Sequence, residues 1–327
     1  MDTLPAGLTV RPLTPGDAAA AAALLAAAEA VDGTGEHYGA DDLVEWWVND
    51  LVDLARDGLA VQAPDGTLVG WATAIASRGV SADFRVLLEG RVHPEHRGRG
   101  IGRRLLAWQQ RHGAELHAAH HPELPGRLTA AVYPAMGSLA RLLRRAGFTP
   151  ARWYADMERP LTALPEVRRL PGIDLVPFTR TRDEEVRLVH NVAFAEHFGS
   201  TERDRTTWQT WFTGQRAFRP ELSVLAVADG AVVGYVLAYV YEADTRATGA
   251  RQSYLGQIGV LPAARGRGVA SAAIAAALRA AAGHGCRTVG LQVDSENATG
   301  APRLYRRLGF TPVRTHTSWA RTLPPRM

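Results

Sequence analysis

A chain of 327 residues is long enough for two domains that each bury a core, and 46% hydrophobic with 21% charged residues is a globular balance, neither disordered nor fibrous. All 37 basic residues are arginine; the net charge is only +4 without a continuous basic run, so nucleic acid is not an expected partner despite a pI near 9.5. Cys286 is the lone cysteine, which excludes an internal disulfide and a four-cysteine metal site. Residues 1–10 lack a leader pattern and no apolar stretch reaches bilayer length, so a cytoplasmic protein with no membrane partner is expected.

An opening strand at Val10-Arg11-Pro12-Leu13 leads to helices predicted over 17–30 and 41–56. The Ala-rich run 17–30 is bracketed by Asp17 and Glu29, too close together for a membrane span. A hairpin follows, turning at Asp65-Gly66, a dipeptide that accepts the positive φ of a tight turn. Next come a strand ending Val92-His93-Pro94, a Gly-rich loop at 97–102 and a helix over 103–110. A strand, a helix and a closing strand near Gly147-Phe148-Thr149-Pro150 complete the unit.

After Pro160, Pro165 and Pro171, which forbid a continuous helix, the same series returns. Leu175-Val176-Pro177-Phe178 answers the opening strand, Asp229-Gly230 the hairpin, Val260-Leu261-Pro262 the lead-in strand and Gly309-Phe310-Thr311-Pro312 the close, at offsets between 162 and 168 residues. Four collinear matches define an internal repeat. The domains are expected at 1–162 and 173–327, joined by a linker at 163–172. Helices are predicted over 183–198, 206–212 and 271–281. Partial alternation of strand and helix gives an α/β class of mixed α+β character. Each copy should be a mixed, mostly antiparallel twisted sheet flanked by helices.

The chemistry concentrates in Arg97-Gly98-Arg99-Gly100-Ile101-Gly102 and Arg265-Gly266-Arg267-Gly268-Val269-Ala270, each set between a strand and a helix. A glycine turn at a helix N-terminus leaves main-chain N–H groups pointing together with the helix dipole behind them, which makes an anion cradle. Glycines allow a diphosphate to approach closely, and the arginines add positive charge. The spacing fits neither a P-loop nor the three-glycine dinucleotide fingerprint.

Together with the Val-x-Pro lead-in, both loops resemble the acyl-CoA signature of the GNAT superfamily, Arg/Gln-x-x-Gly-x-Gly/Ala, and the resemblance covers nearly the whole chain twice. It implies an acyltransferase that moves an acetyl group from acetyl-CoA, as co-substrate and without a metal, to a primary amine of a small molecule. Loop amides would hold the diphosphate, and the strands at Val92 and Val260 would pair with the pantetheine arm. The tandem form with a weakened first copy is similar to mycothiol synthases, so acetylation of a cysteinyl amine is the enzyme alternative, and a non-catalytic acyl-CoA sensor the other. A monomer or homodimer is compatible with all three.

The copies differ where that family places its acid. Asn297 and Leu304-Tyr305 match the family's Asn-x-x-Ala and Leu-Tyr-x-x-x-Gly-Phe pattern, so the resemblance makes Asn297 a coenzyme contact and Tyr305 the group that protonates the departing thiolate. The first copy has Ala135 and Leu143 at those positions, with Tyr133 nearby, yet it places Glu89 three residues before Val92, where an acidic base is common in the family. The second copy has Gln257 there. Glu196 and His197 lie where an acceptor pocket is usual. Trp46-Trp47 and Trp208 with Trp211 recur between copies and read as packing. His112, His117, His120 and His121 fall in an apparent loop without cysteine and give little for zinc.

Overall fold

The computed structural model describes residues 6–80, 82–195, 200–296 and 300–326. The first copy runs β1 (Thr9–Pro12), α1 (Ala18–Asp32), α2 (Ala40–Trp47), α3 (Leu54–Asp57), β2 (Gly58–Gln62), β3 (Leu68–Ala76), β4 (Phe84–Val92), α4 (Ile101–His120), β5 (Gly126–Val132), α5 (Gly137–Arg145) and β6 (Thr149–Pro160). The second runs β7 (Asp174–Pro177), α6 (Asp183–Ala193), α7 (Arg205–Trp208), β8 (Val224–Ala228), β9 (Ala231–Tyr239), α8 (Glu242–Thr248), β10 (Gln252–Val260), α9 (Val269–Gly283), β11 (Thr288–Asp294), α10 (Ala301–Arg307) and β12 (Thr311–Leu323).

Local chemistry explains where the elements stop. The helix predicted over 41–56 breaks in two because the Asn49 amide donates to the Glu45 and Trp46 carbonyls and its oxygen accepts from Leu51 N–H. Both hairpins turn at Asp-Gly; Asp229 and Gly230 take φ of 49° and 80°, a pair of positive values that suits the twist of the flanking strands. The helix predicted over 103–110 is longer than expected. His112 and His117, placed by sequence in a loop, belong to α4, where they bond the Asp57 carboxylate and the Leu124 carbonyl at 2.7 Å each.

Compactness divides the chain into Met1–Arg152 with His316–Met327, and Trp153–Thr315. The closing strands do not stay with their own copies. Beyond its first residues β6 enters the second unit and pairs antiparallel with β11 from Tyr154 to Pro160, while Thr317–Leu323 of β12 pairs antiparallel with β5 in the first unit. The first unit's strand order is therefore β1-β2-β3-β4-β5-β12 and the second's β7-β8-β9-β10-β11-β6. All pairings within each are antiparallel except β4 with β5 and β10 with β11.

Each sheet is buried on both faces. In the first unit Ile101 and Leu105 of α4 pack on Val61, Val69 and Ala72, while Leu24, Leu43 and Trp47 cover Trp71 from the other side. In the second, Ile274 and Leu278 of α9 pack on Val236 and Leu291, and Val189, Trp208 and Phe212 cover Tyr235. At about 1.5–3 kcal/mol for each fully buried large apolar side chain, these layers hold the strand ends in place beneath the Gly-rich loops. No helix among the described residues is long and apolar enough to cross a membrane.

Candidate functional site

Both Gly-rich loops take the same shape. Gly98 and Gly100 have φ of 78° and 88°, Gly266 and Gly268 of 77° and 85°, and Gly100 and Gly268 are the N-caps of α4 and α9. Left-handed backbone at the cap is why glycine is needed here. A Cβ added at Gly98, Gly100 or Gly266 would project into open space, so the region above each loop is free for a ligand. The third glycine is less constrained: a Cβ at Gly102 would meet Leu142 at an ordinary 3.5 Å, and the second copy carries Ala270 in its place. First-turn amides of Ile101, Gly102 and Arg103, and of Val269, Ala270 and Ser271, have no acceptor within their helices and converge on that space.

The motif's leading arginines play a part the sequence did not reveal. Arg97 donates through Nε to the Val92 carbonyl at 3.2 Å and through both Nη atoms to the two carboxylate oxygens of Asp32, at the end of α1, at 2.7 and 2.8 Å. Arg265 donates through Nε to the Val260 carbonyl at 3.2 Å and through Nη2 to the Ala193 carbonyl, at the end of α6, at 3.0 Å. Both arginines are struts that fasten the strand end and the loop to the opening helix, and Arg97 spends its charge on Asp32 instead of on a phosphate. Arg267 reaches the Pro171 carbonyl at 3.2 Å.

The strands that lead into the cradles splay. β4 keeps parallel register with β5 only from Phe84 to Leu87, and β10 with β11 only from Gln252 to Tyr254. Past those points, up to Val92 and Val260, one main-chain edge is left without a strand partner, a row of donors and acceptors suited to an extended amide-bearing arm. In β10 a register shift between Leu255 and Gln257 accompanies the splay. In the first unit the splay opens a cleft of about 350 Å³ that runs from Gly98 and Gly100 past Leu88, Glu89 and Arg91 to Leu143.

The two candidate catalytic side chains fall in different units, Glu89 in the first and Tyr305 in the second, so neither cradle holds both. Glu89 is half-buried on the cleft wall. Burial pushes its carboxyl up from the ordinary range, with Arg91 opposing and Glu36 adding to the shift. Tyr305 sits on α10 in the core with its ring edge-on to Phe310 at 6.1 Å, and burial pushes its phenol up to about 12. Leu143, the equivalent position, is 1% exposed and packs the first core. Tyr133 is committed elsewhere, donating to Glu36 Oε1 at 2.6 Å. Asn297, Glu196 and His197 lie outside the described residues. Trp47 and Trp208 are buried, as packing residues should be. His120 and His121 lie against Phe84, and no group of three His, Cys, Asp or Glu side chains able to hold a metal occurs among the described residues.

Two mixed sheets with a splayed strand pair, each ending at a helix-capping glycine cradle, define a tandem acyl-CoA-dependent acetyltransferase of the GNAT type. The model of the acetyltransferase (GNAT) family matches residues 185–310, and that of the acetyltransferase (GNAT) domain residues 55–150. The mycothiol acetyltransferase of Frankia alni is 34% identical over 325 residues, 94% of this chain and 92% of its own; that of Pseudarthrobacter chlorophenolicus is 33% identical over 88% and 87%. Among solved structures, a GCN5-related N-acetyltransferase from Sphaerobacter thermophilus superposes with a TM-score of 0.78 at 27% identity over 99% of this chain and 98% of its own. A tandem GNAT protein from the clavulanic acid biosynthesis pathway shares the fold, with a TM-score of 0.69 at 21% identity over 98% and 100%. The chain belongs to the GNAT acetyltransferases and is an acyltransferase that uses an acyl-CoA.

Proposed function

We propose that the chain transfers an acetyl group from acetyl-CoA to a primary amine of a small molecule, in a reducing cytoplasm, and that the second unit performs this transfer. The observation that carries the reading is Tyr305, the one position at which the second copy sets a hydroxyl on the helix after the splayed strands and the first copy sets Leu143. Amides at 97–102 and 265–270 hold the diphosphate, the free edges at Val92 and Val260 hold the pantetheine arm, and Asn297 adds a coenzyme contact. A neutral amine attacks the thioester carbonyl, whose oxygen a strand N–H polarises; the C–N bond forms, the C–S bond breaks, and the amine's surplus proton passes to water.

Tyr305 acts on the departing sulfur, though not as a full acid. With its phenol at about 12 and a thiol near 8.5, complete proton transfer to the thiolate is uphill by about 5 kcal/mol. Burial thus weakens the acid the sequence pointed to and leaves a hydrogen-bond donor that stays protonated up to about pH 12.

Similarity to mycothiol acetyltransferases over nearly the whole chain supports a second reading of the acceptor, a cysteinyl amine. Mass-spectrometric detection of acetylated product across an amine panel that includes cysteinyl compounds tests both readings. Tyr305→Phe should lower kcat roughly 10- to 100-fold, the effect of a hydrogen bond to a charged group, and leave acetyl-CoA affinity unchanged. Tight acetyl-CoA binding with no product from any amine would replace the enzyme by a sensor.

A further inference from the structure

In the first unit, cross-strand register sets Trp71 opposite Arg91 and Thr73 opposite Glu89, so the four side chains share one face of β3 and β4. Trp71, Glu89 and Arg91 line the cleft. Trp71 is 3% exposed and Thr73 1%, and neither the indole Nε1 nor the Oγ1 has a hydrogen-bond partner among the described residues. Such buried orphans cost about 1–3 kcal/mol each unless a ligand satisfies them. Arg91 is loosely held: Nη1 donates to the Gly90 carbonyl at 3.0 Å and Nη2 lies 3.7 Å from Glu36 Oε2, which leaves guanidinium donors for an incoming anion. Glu36 is itself fixed by Tyr133, on a loop that Glu29 shapes by accepting from the Thr34 and Gly35 amides.

The second unit has closed this place. Its equivalents are Tyr235, Leu237, Gln257 and Gly259. The Tyr235 hydroxyl is satisfied by His190 Nδ1 at 2.7 Å, and its ring lies so near the strand that a Cβ at Gly259 would approach within 2.5 Å. An orphaned, charged seat in one copy and a self-satisfied aromatic one in the other is not what shared packing needs would produce.

We propose that the first unit has an acceptor seat of its own, which takes a small zwitterionic amine with its carboxylate at Arg91 and Trp71 and its amino group at Glu89, and acetylates it. Residues 89 and 91 project from one face about 7 Å apart, a span their long side chains close around an α-amino acid. The bound ammonium first gives one proton to water; the neutral nitrogen then bonds to the thioester carbon, the C–S bond breaks, Glu89 accepts the second N–H proton, and the coenzyme leaves as a thiolate that is protonated by water. A carboxylate raised by burial is a better base near neutral pH than an ordinary one. Glu36, Tyr38 and Arg91 lie around it, Tyr133 adjoins Tyr38 and Glu36, and the His316 ring is tilted against Tyr133 at 5.1 Å.

The inference rests on the reading of this cradle as an acyl-CoA site. Its test is the full chain with acetyl-CoA, a set of α-amino acids and their methyl esters, product being followed by mass spectrometry. Wild type should prefer the free acids at least tenfold in kcat/KM. Arg91→Met should erase that preference through KM. Glu89→Gln should lower kcat toward the amino acids about 100-fold or more and remove the rise of rate with pH through the carboxyl's raised pKa. Esters acetylated as well as acids, or an unchanged kcat and pH profile in Glu89→Gln, would overturn the seat while leaving amine acetylation intact. No acetylation of any amine would sink the broader reading as well.

Discussion

The two cradles are one backbone shape fastened in two ways. In the first, Arg97 locks the loop with a bidentate ion pair to Asp32; in the second, Arg265 holds only main-chain carbonyls among the described residues. Beyond the loops the copies have specialised in opposite directions, one keeping a carboxylate, a loosely held arginine and an open cleft, the other a tyrosine on the closing helix and a separate aromatic cluster around Tyr235. Duplication let the glycines, which the left-handed cap demands in any copy, persist while the side chains around them drifted to different uses.

That contrast can be broken at the loops first. Gly100→Val and Gly268→Val each force a β-branched residue into left-handed backbone, at about 1–2 kcal/mol or more; at Gly100 the side chain enters the space open above the loop, and at Gly268 it lies against Arg168 and Leu170, each 3.8 Å from the added Cβ. Each should abolish one coenzyme site by calorimetry and leave the other titrating normally. Loss of both sites from one substitution would mean the cradles are not independent.

The struts sharpen it further. Arg97→Ala strands the buried Asp32 carboxylate, which is 6% exposed, so a loss of about 2 kcal/mol is expected once Arg97's partial exposure is discounted, or roughly 5 °C in Tm. Arg265→Ala removes, among the described residues, hydrogen bonds to neutral carbonyls and should cost about 1 kcal/mol. Differential scanning calorimetry ranks them; equal losses would contradict the distinction between an ion-paired and a carbonyl-held loop.

Much of this was legible in the sequence because it is local. The repeat, the Asp-Gly hairpins and the capping glycines are each set by a few adjacent residues, and they were enough to reach the fold class and the family. What depends on distant partners was not legible. Arg97 reads as a phosphate ligand until Asp32, 65 residues earlier, is seen beside it. The exchange of β6 and β12 left no mark, since both follow the same Gly-Phe-Thr-Pro lead-in and strands pair through main chain that either copy can offer. The domain boundary expected from the prolines at 163–172 and the division by compactness at Arg152 differ for that reason. Trp71 and Thr73 carry no motif; their significance lies in hydrogen bonds left unmade. Tyr305 was recognisable by pattern, but the direction of its pKa shift depends on the core around it.

Calorimetric titration of the intact chain with coenzyme A bears most directly on the shared claim, that main-chain amides in both loops grip a diphosphate. Two equivalents bound per chain, falling to one in either glycine variant, are expected. A chain that takes up no coenzyme, or takes up one equivalent that both glycine variants leave in place, would contradict it.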